Sequence, residues 1–436
     1  MEIDNIKNSE NKEKSEDTNK DVGYFQYYSH LQHQQNMLQD FVRTSTYRNA
    51  ITELKEYSIE NKTVMDVGSG SGILSYFAVK NGASKVYAIE ASTMASKMQI
   101  ILDAAKGPLK KNEYLADKIQ IIKGKIEDIT EDIPKVDTII SEPIGVLLVH
   151  ERMLESYIYA REKYLKPEGT MAPSLGTICL APITDGGLWA ETMNKARFWQ
   201  QNDYYGVDLS PLSNEAYHEY FTSPVVGCFN PLSIMTDDYS ISRYDVDFYK
   251  VKLADMQDIR IPLNWEIKYT GIIHAVGGWF DCEFGLPDHR NHEIKPVVDQ
   301  YGKVQTYNSI PVKLSTSPRS PATHWQQVRF LLPEPLAVNS GQVVSGEFRM
   351  VTNNNRSYDI TMTISLYQPV NHGVTNQRSG DIDSSSLIST KTCKWFLHEQ
   401  VYNYSFSGEY SNTRPENLNL YLPEKHMAED QSEYCE

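Results

Sequence analysis

The chain has 436 residues, more than one ordinary α/β domain needs, so two folded domains with tails are expected. A formal net charge of -15 and a pI near 5.3 argue against a protein that grips nucleic acid by its phosphates and favour a cationic partner, although acidity also serves solubility alone. Five scattered cysteines without a C-x-x-C pair suggest neither a disulfide framework nor a zinc site. No signal-peptide core or membrane-length apolar run stands out, so a soluble intracellular protein without a metal is expected.

Residues 1–22 are charged and nearly free of hydrophobes, a composition that cannot offset the entropy of ordering, and are expected to form a disordered tail. From Tyr24 to Tyr57 the apolar spacing is helical, with Leu31, Met37, Leu38, Phe41 and Val42 at compatible intervals. Between Lys62 and Ala181, β-rich runs (TVMDV, KVYAIE, KIQIIKG, VDTIISEP, GTMAPSLGTICLAP) alternate with helical stretches. That rhythm predicts a Rossmann-like parallel sheet, placed with the N-terminal helices in residues 23–172. Residues 173–370 carry strand-like runs separated by Pro, Gly and Asn, which predict an antiparallel β-barrel or sandwich. Residues 371–436 turn Ser-, Asn- and Asp-rich and are expected to be largely flexible. One island there, CKWFLHEQVYNYSFSGEY, reads as an added strand, a docking segment or an arm packed on the core.

The run Val64–Gly72 sets a strand ahead of a Gly-rich turn, with Gly68 and Gly70 letting backbone approach a ligand. Glu90 follows Gly70 by twenty residues, at the end of the next strand, where a carboxylate can accept ribose hydroxyls. Ile73 stands where a dinucleotide fingerprint needs glycine, and no Gly-Lys-Ser/Thr follows the turn. S-adenosylmethionine, with ribose and adenine but no phosphates, fits such a turn. Glu127, soon after the third strand, is placed for the adenine amino group, or is a solvated loop acid.

The fourth strand ends in Ser141-Glu142-Pro143, and Glu151 opens the expected helix HERMLES. Ligands bind at the carboxyl ends of open α/β sheets, so the two acids lie where an acceptor belongs. Two carboxylates suit a guanidinium, which is planar, cationic and able to be held bidentately. Glu151 alone could equally favour a helix N-terminus through the macrodipole.

The motifs YFQYYSHLQHQQNMLQDFVRTSTY, VMDVGSGSGILS, VYAIEAST, GKIED, SEPIG, HERMLES and THW occur in order from Tyr24 to about Val370. Together they resemble the type I protein arginine methyltransferase family, and within it the coactivator-associated branch. The resemblance implies transfer of methyl groups from S-adenosylmethionine to arginine, giving mono- and asymmetric dimethylarginine. It implies Glu142 and Glu151 as the acceptor clamp, with Tyr28 and Met37 lining the pocket. Arg43 would pair with the cofactor carboxylate, and Gln34, Gly68, Gly70, Glu90, Glu127 and Ser156 would complete the cofactor site. His324 would close the pocket by pairing with Asp40, with Trp325 beside the substrate. Ile144 and Val146 depart from the family's usual Met and Tyr. The stretch from Gly285 to Thr323 looks like an insertion. Residues at about 186–212 resemble a dimerisation arm, with Phe198, Trp199, Tyr204 and Tyr205 docking on a second subunit.

Histone tails as substrates, a homodimer, roles in chromatin and transcription, and residence in nucleus and cytoplasm follow from the same resemblance; direct nucleic-acid binding does not. A small-molecule or nucleic-acid methyltransferase on the same fold, or a catalytically weak scaffold, are the rivals.

Overall fold

The computed structural model describes residues 23–107, 112–286, 297–298, 304–305, 312–368 and 387–403. The expected tail 1–22, residues 371–386 and 404–436, and most of the expected insertion lie outside these residues. A short helix over 23–28 (α1) is followed by α2 (Leu31–Gln39) and α3 (Phe41–Glu53). A parallel sheet then forms from β1 (Thr63–Val67), β2 (Lys85–Glu90), β3 (Ile119–Lys123), β4 (Val136–Ser141) and β5 (Leu165–Ala172), in the order β3-β2-β1-β4-β5. Helices α4 (Ile73–Lys80), α5 (Met94–Ala105) and α6 (Met153–Tyr164) connect them. β1 and β4 are buried along nearly their whole length, as expected of parallel strands covered on both faces. α5 buries Met94, Met98, Leu102 and Ala105, one helical stripe.

The run GTMAPSLGTICLAP does not form one strand of the parallel sheet. It divides into β5 and β6 (Leu175–Ile183), and β6 pairs antiparallel with β8 (Ser242–Asp247) and β10 (Gly271–Phe284). Between β6 and β8 lie α7 (Gly186–Arg197), α8 (Ser213–Thr222) and β7 (Val225–Val226). Among the described residues the second half holds a two-stranded ribbon of β11 (Val297–Val298) and β12 (Val304–Gln305) and two larger sheets, the four-stranded one ordered β17-β16-β15-β9. Its strands are β9 (Asp258–Glu266), β15 (Val343–Asn353), β16 (Ser357–Tyr367) and β17 (Leu387–Phe396). β9 alternates strictly, burying Ile259, Ile261, Leu263 and Trp265, the period-two pattern of a sheet with one wet face. The larger sheet also takes in β14 (Val328–Val338), and β13 (Val312–Ser315) pairs with β10.

β17 lies inside the stretch expected to be largely flexible, and the folded β region extends beyond residue 370. The reason is Trp395: fully buried among Phe330 and Phe348, it donates from Nε1 to the Leu331 carbonyl at 3.1 Å. The island that begins at Cys393 does supply an added strand, one of the readings its sequence offered: Cys393–Phe396 close β17, anchored by this one large side chain. β18 (Val401–Tyr402) then pairs parallel with β7 and brings Tyr402 to the mouth of the central cavity.

Candidate active site

A cavity of about 840 Å³ opens at the carboxyl ends of β1, β2 and β4, roofed by α1 and α2 and walled on the far side by the β region. Every catalytic, cofactor or substrate residue expected from the sequence except Asp40 lines it, and Asp40 bonds to one that does.

At its nucleoside end the turn after β1 is left-handed at Gly68 (φ 72°) and Gly70 (φ 51°). The left-handed backbone favours glycine at Gly70, and a Cβ there would meet Gln34 Oε1 at 2.8 Å and displace that side chain. Glu90 Oε2 accepts from the Gly70 amide and Oε1 from the Ser92 amide, each at 2.7 Å, fixing the carboxylate beside the turn. Gln34 is buried; its Oε1 accepts from the Ser71 amide at 3.1 Å while Nε2 donates to the Tyr28 carbonyl at 3.0 Å, tying the turn to α1. Glu127 is exposed yet held, its Oε1 accepting from the Ser156 hydroxyl at 2.6 Å. Glycines that admit close approach, a buried acid after β2 and a second acid after β3 fit a ribose- and adenine-bearing cofactor.

The acids follow the fourth strand. Gly145 lies so close to the His150 carbonyl that no side chain fits, and this fold-back returns the loop to present both Glu142 and Glu151. Glu151 does not open a helix: α6 begins at Met153, and Glu151 (φ 72°) and Arg152 (φ 57°) are both left-handed. Glu151 thus lies just ahead of the helix N-cap Arg152, and its side chain is held by tyrosines rather than by the helix amides. Tyr28 donates to Glu151 at 2.9 and 3.0 Å, and Tyr24 donates to its Oε2 at 3.1 Å. Burial pushes the Glu151 carboxyl up from 4.5 to about 7; the two tyrosine hydroxyls oppose that and the charge of Glu142 adds to it.

Glu142 takes Arg43 as partner, Nη2 to Oε2 at 2.7 Å and Nε at 3.2 Å, with both side chains nearly inaccessible. Burial alone would depress the Arg43 pKa, but the charge and hydrogen bonding of Glu142, with Tyr47 and Asp40 beside it, together raise it. The resemblance gave Arg43 to a cofactor carboxylate; in the structure it pairs with Glu142, beside the expected cofactor region.

His324, from the turn before β14, meets Asp40 between α2 and α3: Nδ1 lies 2.6 Å from Oδ2, and the His324 amide donates to the same oxygen at 2.8 Å. Burial pushes the Asp40 carboxyl up, but these bonds and the Arg43 amide together hold it below the usual range. Trp325 is buried and donates to the Ile144 carbonyl at 3.1 Å, so it backs the acidic loop. Ile144 and Val146 pack into the core beneath that loop.

Sequence reasoning missed two residues here. Tyr24 stands one helical turn before Tyr28, a signal that was available. Arg356 lies in the β15–β16 turn and no local pattern marks it.

A family model described as the arginine methyltransferase oligomerization subdomain matches residues 174–368. A second, described as ribosomal protein L11 methyltransferase, matches residues 44–174. The chain is 44% identical over 344 residues to the histone-arginine methyltransferase CARMER of Drosophila grimshawi, covering 79% of this chain and 57% of the relative. It is 40% identical over 385 residues to the probable histone-arginine methyltransferase 1.3 of Arabidopsis thaliana, covering 88% and 64%. The chain belongs to the protein arginine methyltransferase family.

It spans 57% and 64% of the length of these two relatives of that family. Among solved structures, Arabidopsis thaliana protein arginine methyltransferase 10 superposes with a TM-score of 0.68 at 28% identity, covering 86% of this chain and 100% of that one. The Trypanosoma brucei PRMT1 enzyme-prozyme heterotetrameric complex with AdoHcy gives 0.64 at 28% identity, covering 85% and 99%. The parallel-sheet domain joined to antiparallel sheets is the fold of this methyltransferase family.

Proposed function

We propose that the chain is an S-adenosylmethionine-dependent protein arginine methyltransferase of type I, forming mono- and asymmetric dimethylarginine on exposed arginines such as those of histone tails. The observation that carries this reading is the pair Glu142 and Glu151, on one folded-back loop at the cavity floor. Two acids with tyrosine and arginine partners are suited to hold a planar cation by charge-assisted bonds.

When bound, S-adenosylmethionine supplies an electrophilic methyl group on a sulfonium. Gln34, Gly68, Gly70, Glu90, Glu127 and Ser156 would hold its nucleoside part, and Arg43, whose guanidinium carries further donors beyond those on Glu142, would reach its carboxylate. The AdoHcy in the complex of the Trypanosoma neighbour supports the choice of cofactor. Glu142 and Glu151 would orient the acceptor guanidinium and spread its charge, so that one nitrogen faces the methyl. The His324–Asp40 pair would keep the N-terminal helices closed over it, with Trp325 supporting the loop beneath. Met37, half-buried in the wall, would steer the second methyl onto the same nitrogen.

A homodimer through the arm belongs to the same reading. Phe198, Tyr204 and Tyr205 are exposed and stack edge to face in succession, with Trp199 half-buried beside them. Such an apolar cluster suits an isologous contact. The histone-modifying relatives support nuclear residence, with a cytoplasmic pool and a role in transcription as further parts of the proposal.

The test is incubation with S-adenosylmethionine and a histone mixture, followed by fragmentation mass spectrometry. Asymmetric dimethylarginine is the expected product. A preparation that binds cofactor yet modifies no arginine refutes the reading.

A further inference from the structure

The β15–β16 turn is latched to the loop that carries Glu151. Arg152 Nη1 donates to the Asn353 carbonyl at 3.1 Å, His150 Nδ1 lies 2.9 Å from the Ser357 hydroxyl, and Arg356 Nη2 approaches Met153 Sδ at 3.9 Å. Both partners of this latch are strained, since Glu151, Arg152 and Arg356 (φ 51°) are all left-handed. From this turn the half-buried Arg356 side chain lays its guanidinium over the Tyr24 ring, 4.4 Å from the centroid. Tyr24 in turn donates to Glu151.

We propose that Arg356 is a positioning residue for the acceptor clamp: by stacking on Tyr24 it fixes the hydroxyl that holds Glu151 and keeps a positive charge beside that carboxylate. Resting on the function proposed above, this gives the β region a direct hand in setting the acceptor acid. The groups that face Glu151 are Tyr24 and Tyr28 from α1, Glu142 from the end of β4 and Arg356 from the turn. Arg356 is the cation among them, and it opposes the effects of burial and of Glu142 on Glu151.

The experiment follows the titration of Glu151 by carbon NMR in protein labelled at the glutamate carboxyl, with Glu151→Gln identifying the resonance. Arg356→Gln is expected to move the titration upward by about 1 pH unit, the loss of one nearby opposite charge. Arg356→Lys, which keeps charge and stack, is expected to stay at the wild-type position. Arg356→Met, which keeps an unbranched stem over Tyr24 but no charge, should reproduce the upward move, providing a second route should Arg356→Gln fold poorly. In turnover, Arg356→Gln should lower kcat several-fold near neutral pH with the KM for S-adenosylmethionine unchanged. An Arg356→Gln protein titrating at the wild-type pH, or a Lys variant displaced as far as the Gln variant, overturns the proposal. Because the titration needs no turnover, it decides the role of Arg356 even if no arginine is methylated, a result that would instead remove the proposed function.

Discussion

Replacing Glu151 with Gln should stabilise the protein while abolishing transfer, and the stabilisation should depend on pH. Burial of this carboxyl, opposed by Tyr28 and Tyr24 and reinforced by Glu142, moves it from 4.5 to about 7. Between those values the folded chain binds a proton that the unfolded chain has released. The contribution of Glu151 to stability is therefore fully present below 4.5 and is lost as pH rises through about 7. The interval converts to a cost of about 3 kcal/mol at pH 8 and under about 1 kcal/mol at pH 5. Gln carries no charge, so Glu151→Gln should recover most of this, less about 1 kcal/mol for the weaker bonds to the two tyrosines. Urea unfolding of both proteins at the two pH values, followed by circular dichroism, measures the difference. A variant that gains nothing at pH 8, or gains equally at both pH values, would show that Glu151 is not a desolvated charge. The account of the clamp as a prepared cation site would then fall.

Gly70→Ala should weaken cofactor binding on the order of tenfold, about 1.4 kcal/mol, because a Cβ strains a left-handed position and presses on Gln34. Calorimetric titration checks this, and an unchanged affinity would remove the turn from the site. Trp395→Ala should cost about 3–5 kcal/mol by emptying a fully buried site and breaking the bond to Leu331, measurable as a lower urea midpoint. Met37→Phe should shift product toward monomethyl or symmetric dimethylarginine in fragmentation spectra; a constant ratio would mean that Met37 only packs.

How much of the site could be read in advance depended on sequence distance. The glycine turn, Glu90 and Glu142 follow or end strands of a βαβ rhythm, and Met37, Asp40 and Arg43 recur at every third residue, so spacing placed these, whereas Tyr28 and Gln34 were marked by the motif resemblance alone. The two acids were legible as a pair because they bracket one loop. The ion pair between Arg43 and Glu142 was not, since a buried guanidinium takes whichever carboxylate the fold brings within reach, and 99 positions separate these two.

Contacts between distant segments were decided only in three dimensions. The His324–Asp40 pair spans 284 positions, and the motif resemblance was what marked it beforehand. Trp395 showed its role only once β17 had docked against Phe330 and Phe348, because Ser- and Asn-rich flanks say nothing about what covers a lone aromatic. The sequence by itself determined the parallel sheet, its cofactor turn and the acids at its edge, each written in neighbouring residues. The tertiary structure decided which groups set the charge and geometry of those acids, because a turn such as the one bearing Arg356 has no local pattern that names its partner; packing of the β region against α1 does.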